Sequence, residues 1–179
     1  MNVESGSMPT GQQRDFDVIV VGAGFGGLYA IQRMRADGLS VLCLEASDDL
    51  GGVWHHNRYP GARCDVESVD YSYSFSPELQ QDWAWTERYA GQPEIHAYLR
   101  HVAARFDLRR HILFDRRVAV AQREDAAGLW QVTAANGEGY RARFLILATG
   151  ALSVPKQPDL PGLEDFAGPV YRTSSWPAE

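Results

Sequence analysis

Asp17-Val-Ile-Val-Val21-Gly22-Ala-Gly24-Phe25-Gly-Gly27-Leu28 is the stretch that decides the fold. Residues 17–21 are a short apolar run rich in β-branched side chains, as a strand buried on both faces requires, and Gly22 stops it. From Leu28 to Ala36 the apolar residues Leu28, Ile31 and Met34 recur at helical spacing, and Gly38 stands where the helix should end. A second buried strand is expected over Val41-Leu-Cys-Leu-Glu45. Two such strands around one helix make a right-handed βαβ crossover, with both strands parallel in one sheet. Gly22, Gly24 and Gly27 spell G-x-G-x-x-G between strand and helix, and Glu45 lies about twenty residues further on. The first glycine permits a tight turn, the second lets the backbone approach a pyrophosphate, and the third lets helix and strand pack closely. The helix N-terminus offers unpaired N–H groups and the positive end of its dipole to phosphates. Glu45 would accept hydrogen bonds from a ribose 2′-hydroxyl, which fits FAD or NAD and would repel the 2′-phosphate of NADP.

Beyond Glu45 an irregular stretch runs to Ala90, dense in Gly, Tyr, Trp and charge and too long for an idle connection. Pro93 opens an expected helix to about Phe106, with Ile95, Tyr98, Leu99 and Val102 on one face. Strands are expected near Ile112 to Phe114, Arg117 to Arg123, Leu129 to Ala134 and Tyr140 to Ala148. Turns at Asp125 to Gly128 and Asn136 to Gly139 join the last three as an antiparallel meander inserted in the α/β domain. The Pro-rich run from Val154 to Pro161 reads as an extended linker.

The chain has 179 residues, 45% apolar and 22% charged, enough for one core. A net charge of -6 argues against a nucleic-acid surface, which needs clustered Lys and Arg. Cys43 and Cys64 have neither metal-ligand nor CxxC spacing, so they read as reduced thiols of a cytoplasmic protein. No signal peptide or membrane span is legible. His55 and His56 are adjacent with no partner ligand at metal spacing, so no metal is assigned. Asp48 and Asp49 read as solvated surface charges, and Trp83, Trp85 and Tyr89 as an aromatic cluster packing the long loop.

Glu45-Ala-Ser-Asp-Asp-Leu-Gly51-Gly52-Val53-Trp54 adds a second glycine pair soon after the acid. This extension resembles flavoproteins that bind two dinucleotides, and so points from NAD to FAD. Ala148-Thr149-Gly150 resembles the second short signature of those enzymes, although alone it reads equally as a strand-ending turn. The run Gly51-Gly-Val-Trp-His-His-Asn-Arg-Tyr-Pro-Gly-Ala-Arg63-Cys64-Asp65-Val-Glu-Ser-Val-Asp-Tyr71 is similar to the flavin loop of Baeyer–Villiger monooxygenases. The resemblance implies a Rossmann-like FAD-binding domain with NADPH as second cofactor. It places Phe25, Gly52, Val53, Trp54, Tyr71 and Val118 with the glycines and Glu45 in the FAD site. Arg63, Cys64 and Asp65 would border the nicotinamide, and Asp65, the one catalytic candidate, would lie near the isoalloxazine and position an active-site arginine. A buried carboxylate fixing such an arginine would preorganise charge for a peroxide anion. On residue type alone, Asp65 reads equally as a loop carboxylate capping backbone N–H groups.

The segment Phe166-Ala-Gly168-Pro-Val-Tyr-Arg172-Thr-Ser-Ser-Trp176-Pro177 resembles the family fingerprint F-x-G-x-x-x-H-x-x-x-W-P, departing from it at Arg172. An arginine keeps its charge and cannot accept a hydrogen bond, so altered coupling between domains is expected there. The family's NADP site, its catalytic arginine and a returning C-terminal segment find no counterpart in this sequence. The expectation is a piece of a longer enzyme, or one chain of a split enzyme with a complementary chain carrying the NADP domain. Its division is a disordered tail (1–15), the N-terminal part of an FAD-binding domain (16–151) and a linker (152–179). The implied reaction converts a ketone and molecular oxygen to an ester or lactone through a flavin peroxide. A flavin N- or S-monooxygenase, or a non-catalytic FAD-binding subunit, are the alternative readings.

Overall fold

The computed structural model describes residues 14–156 and 158–177. Strand β1 (Arg14–Val21), helix α1 (Phe25–Ala36) and strand β2 (Val41–Leu44) form the βαβ unit, with Val18 opposite Val41 and Val21 opposite Leu44 in parallel register. Helix α1 starts three residues before Leu28, directly out of the glycine turn. It ends in paired bonds from Gly38 N–H to the Arg35 carbonyl (2.9 Å) and from Leu39 N–H to the Met34 carbonyl (3.1 Å), with Gly38 at φ 80°. Only a glycine takes that left-handed position without strain.

The remaining α-helices and strands among the described residues are α2 (Val53–His56), α3 (Pro77–Asp82), α4 (Gln92–Arg105), β3 (Ile112–Leu113), β4 (Val118–Glu124), β5 (Leu129–Ala134) and β6 (Gly139–Leu147), and a 3-10 turn, Arg109–His111, lies between α4 and β3. The six strands lie in the order β3-β2-β1-β6-β5-β4. Parallel pairing covers β3 to β6, and antiparallel pairing joins β6, β5 and β4. The meander expected from its turns is present, and it shares its last strand with the parallel sheet. Residues 139–142 of β6 pair with β5, while Tyr140 to Leu147 run beside Arg14 to Val21 of β1.

Alternation along the strands divides the core. Val18, Val20, Val41 and Cys43 turn to one side, in a cluster with Leu28 and Ile31 of α1 and Ile95, Leu99 and Val102 of α4. Ile19, Leu42 and Leu44 turn to the other, against Val132, Ala134, Tyr140 and Ala142 of the meander. Both faces of β1 and β2 are thereby covered, which explains their unbroken apolar runs. Burial pushes the Cys43 thiol pKa up, and the carboxylate of Glu45 adds to the shift. Both cysteines are free and buried.

The long stretch after Glu45 contains α2 and α3 and is tied down by aromatic packing. Trp83 and Trp85 pack on Tyr98 with ring centroids 5.5 and 5.0 Å away, whereas Tyr89 stands apart, exposed beneath Arg88. Of the expected disordered tail, residues 1–13 lie outside the described residues. Strand β1 takes in Arg14 and Asp15, whose carboxylate receives two 2.8 Å bonds from Arg141. Residues 158–177 carry two single 3-10 turns, Leu163–Asp165 and Thr173–Ser175, the second lying beside α2. Among the described residues no helix is long and apolar enough to cross a membrane.

Candidate dinucleotide site

At the carboxyl end of β1 the chain leaves through α1 to β2 on one side, while β6 lies on the other. A crevice opens where strand order reverses in this way. The glycine turn fills it with backbone. Gly22 has φ 100°, and a Cβ there would stand 2.6 Å from the Ala148 carbonyl oxygen. A Cβ on Gly27 would stand 1.8 Å from the Gly22 oxygen. Ala148 is bound to the same turn through its N–H, which donates to the Val21 carbonyl at 2.9 Å, so Ala148-Thr149-Gly150 begins on the rim. Among the described residues no side chain caps the N-terminus of α1, and no acid lies in its first turn. Its leading N–H groups are thus without a side-chain acceptor, the arrangement an anion fits.

Glu45 is buried beneath the turn. One carboxylate oxygen accepts from Ala23 N–H (2.6 Å) and the other from Ser47 N–H (2.9 Å). The carboxylate therefore ties the glycine turn to the end of β2. With about four acceptor positions on a carboxylate, it retains capacity for a ribose hydroxyl.

The second glycine pair closes against the first. Gly51 N–H donates to the Ala23 carbonyl at 2.9 Å, and Gly51 and Gly52 both have positive φ, 127° and 57°. Beyond them Trp54 is buried, and its indole N–H donates to the Tyr71 hydroxyl at 3.0 Å. The Tyr71 ring packs edge-on to Phe25, centroids 4.8 Å apart, and Val53 packs against the same core. Burial raises the Tyr71 phenol pKa, opposed by the Trp54 bond and reinforced by Cys64 and Asp65. Phe25, Gly52, Trp54 and Tyr71 are thus assembled around one end of the cradle.

Asp65 departs from the buried carboxylate expected from the sequence. Residues 62–65 alternate, with Ala62 and Cys64 buried and Arg63 and Asp65 exposed, because Arg63 bridges antiparallel to Gly91 in extended backbone. Cys64 N–H donates to the Ala90 carbonyl at 3.1 Å, which fixes that parity. Arg63 pairs with Glu87 and the Tyr89 carbonyl. Asp65 makes no hydrogen bond or ion pair among the described residues, and its charge is felt at Tyr71. Val118 lies at the start of β4, packed with the meander cluster. It is two residues beyond Arg116, whose N–H donates to the Glu45 carbonyl at 2.8 Å.

Three residues outside the expected site bear on the loop directly: Asp49, which reads as a solvated charge in the sequence, and Gln92 and His96, to which the sequence reading gives no role. Asp49 is buried and not a solvated charge, because Arg100 and Arg109 reach its carboxylate from α4 and the turn beyond it. His96 donates from Nε2 to the Leu50 carbonyl at 2.8 Å, and Gln92 donates to the Trp54 carbonyl. Gln92, His96 and Arg100 recur every fourth residue of α4, a spacing that aligns them on one helix face. That polar stripe was the available signal.

Asp49, His55 and His96 bring one ligand atom each within 4.8 Å of one another. Their acceptor capacity is engaged: two guanidinium groups already hold Asp49, and His55 Nδ1 accepts from Arg58 at 3.1 Å. The His96 nitrogen facing the group carries the proton given to Leu50. This is the bonding pattern of an ion-paired anchor, and no metal is assigned to it.

A model of the flavin-binding monooxygenase-like family matches residues 15–177. The chain is 43% identical over 178 residues to a Baeyer–Villiger monooxygenase of Pseudooceanicola batsensis, covering 99% of this chain and 32% of that protein. It is 42% identical to cyclohexanone 1,2-monooxygenase of an Acinetobacter species, over 93% of this chain and 31% of that protein. Phenazine N-monooxygenase of Lysobacter antibioticus is 39% identical, over 92% of this chain and 30% of that protein. The solved structure of an oxidized steroid monooxygenase bound to NADP superposes with a TM-score of 0.84 at 56% identity, over 92% of this chain and 32% of that one. The chain thus spans about a third of the length of the relatives it matches. With its βαβ cradle, its second glycine turn and a family match from residue 15 to residue 177, this chain belongs to the flavin-binding monooxygenase-like family.

Proposed function

We propose that this chain is the FAD-binding part of an NADPH- and oxygen-dependent Baeyer–Villiger monooxygenase, which converts a ketone to an ester or lactone. The observation that carries the reading is the cradle: two glycine turns in backbone contact, set against a helix N-terminus that no described side chain caps, with a buried carboxylate behind them. Side chains are absent just where a pyrophosphate needs close backbone approach. FAD, when bound, supplies the redox and oxygen chemistry, and the protein binds and orients.

In this reading Gly22, Gly24 and Gly27 present backbone to the pyrophosphate and Glu45 takes the ribose. Gly52, Val53, Trp54, Phe25 and Tyr71 flank the flavin, with Val118 toward the Glu45 side. Arg63, Cys64 and Asp65 line the approach of NADPH. Asp65, exposed and unpaired among the described residues, is suited to receive a guanidinium from the rest of the protein or from a complementary chain. The acidic chain with two free cysteines fits the cytoplasm.

Titration of the chain with FAD, followed by flavin fluorescence, tests the first part, and micromolar or tighter saturable binding is expected. The whole protein given NADPH, oxygen and a cyclic ketone should yield lactone. The phenazine N-monooxygenase relative supports a second reading, N-oxygenation of a heteroaromatic amine. Product analysis with both substrates separates the two, and N-oxide without lactone would select the second.

A further inference from the structure

We propose that Asp49 is a positioning residue for the dinucleotide site, holding the Leu50–Gly52 turn against Gly24 with His96 as its second support. The inference rests on the reading of the cradle as an FAD site and adds to it a part that lies outside the cradle.

Asp49 is 8% exposed, yet it carries a full charge into the base of the loop. It receives bonds from Arg100 Nε (2.9 Å), a second Arg100 nitrogen (2.5 Å) and Arg109 (2.8 Å). The two arginines keep more than half of their side-chain surface in water. The buried carboxylate is thus clamped between two solvent-anchored guanidinium groups, the strong kind of charged hydrogen bond. The next residue, Leu50, has no exposed surface and plugs the core, while its carbonyl accepts from His96.

The residue after that, Gly51, runs against His96 so closely that a Cβ would stand 2.8 Å from the imidazole Cδ2. Gly52 then meets Gly24. Consecutive residues are therefore gripped in turn by Arg100 and Arg109, by His96 and by Ala23, with Gln92 holding Trp54 beyond them. None of Asp49, His96 or Arg100 lies in a strand of the sheet. Their bonds end on the loop and decide where Gly52 sits. A loop held from outside lowers the ordering cost of binding, which is how preorganisation adds affinity.

The test uses the full 179-residue chain and FAD, with equilibrium titration and the visible circular dichroism of the bound flavin as readouts. Asp49→Asn keeps the shape and removes the charge. It should weaken FAD binding by about 5- to 150-fold, the usual range for coupled sites, and alter the flavin dichroism. His96→Leu should do the same, and His96→Gln, which keeps an N–H near the Leu50 carbonyl, should restore most of both. Ile95→Val, a core change on the same helix, should lower thermal stability and leave affinity and dichroism unchanged. If Asp49→Asn does not fold, the His96 pair decides. Unchanged affinity and dichroism in Asp49→Asn or, failing that, in His96→Leu overturns the inference. Absence of FAD binding by the unaltered chain overturns the FAD reading itself, a distinct result.

Discussion

A Cβ placed on Gly52 would stand 3.2 Å from the Cα of Gly24, so the two glycine turns touch backbone to backbone. Each turn is needed to shape the other, although they are far apart in the chain. Substitutions at the individual glycines should therefore separate folding from binding.

Gly24 has φ -80°, open to any residue, and a Cβ on it would meet the Gly52 Cα at an ordinary 3.6 Å. Gly24→Ala should fold, melt within a few degrees of the unaltered chain and lose FAD affinity by about tenfold or more, because the new methyl occupies the face a pyrophosphate must approach. At Gly27 the added Cβ would stand 1.8 Å from a backbone oxygen, which no side-chain adjustment relieves. Gly27→Ala should cost about 3 kcal/mol or more of stability, at the severe end for overpacking. Thermal melts and FAD titrations of the pair check both outcomes.

Acid should act on Asp49. Burial opposes its ionisation, but hydrogen bonds from Arg109, Arg100 and Leu50 N–H outweigh this and draw its pKa from the ordinary 3.8 to about 2. A carboxyl whose folded pKa is depressed stabilises the fold above its unfolded pKa, and that stability is lost as pH falls through the folded value. The melting-temperature advantage of the unaltered chain over Asp49→Asn should be constant above about pH 5 and shrink toward pH 2. An advantage that stays constant to pH 2 would contradict the clamp.

His96 should contribute an acid-sensitive slope at higher pH. Burial lowers its pKa below 6.5, opposed by the bond to Leu50, and His55, Arg100 and Asp49 face it. Below about pH 6.5 the unfolded imidazole takes a proton that the folded one resists, so stability falls as pH drops through that range. Replacing His96 by Gln should flatten the fall in melting temperature between pH 7 and 5.5, with the slopes compared directly.

The βαβ unit was legible because its signals are local: three glycines set the turn, and Gly38 ends the helix two residues past Ala36. The sharing of β6 between two pairings was not, since strand order is decided by packing of both faces and leaves no mark in the strand's own composition. Asp49 was misread for a similar reason. Asp48-Asp49 looks like a solvated pair, and the guanidinium groups that bury one of them come from 51 and 60 residues away. Asp65 shows the converse. Its loop was recognisable, but its exposure follows from the extended parity set by Arg63 and Gly91.

Tyr71 is the acceptor for the indole N–H of Trp54, a side chain only 9% exposed. Tyr71→Phe keeps the ring against Phe25 and deletes the oxygen, leaving that N–H without its partner. An unmade bond of this kind costs about 1 to 3 kcal/mol, and ~1 kcal/mol lowers the melting temperature of a chain this size by about 2 to 4 °C. Because the edge-on ring contact survives, FAD should still bind, with a changed flavin absorption envelope where the phenol stood. Melting, titration and visible spectra of Tyr71→Phe distinguish the cases. A normal flavin spectrum together with a lowered melting temperature would confine Tyr71 to packing Trp54 and remove it from the flavin's surroundings.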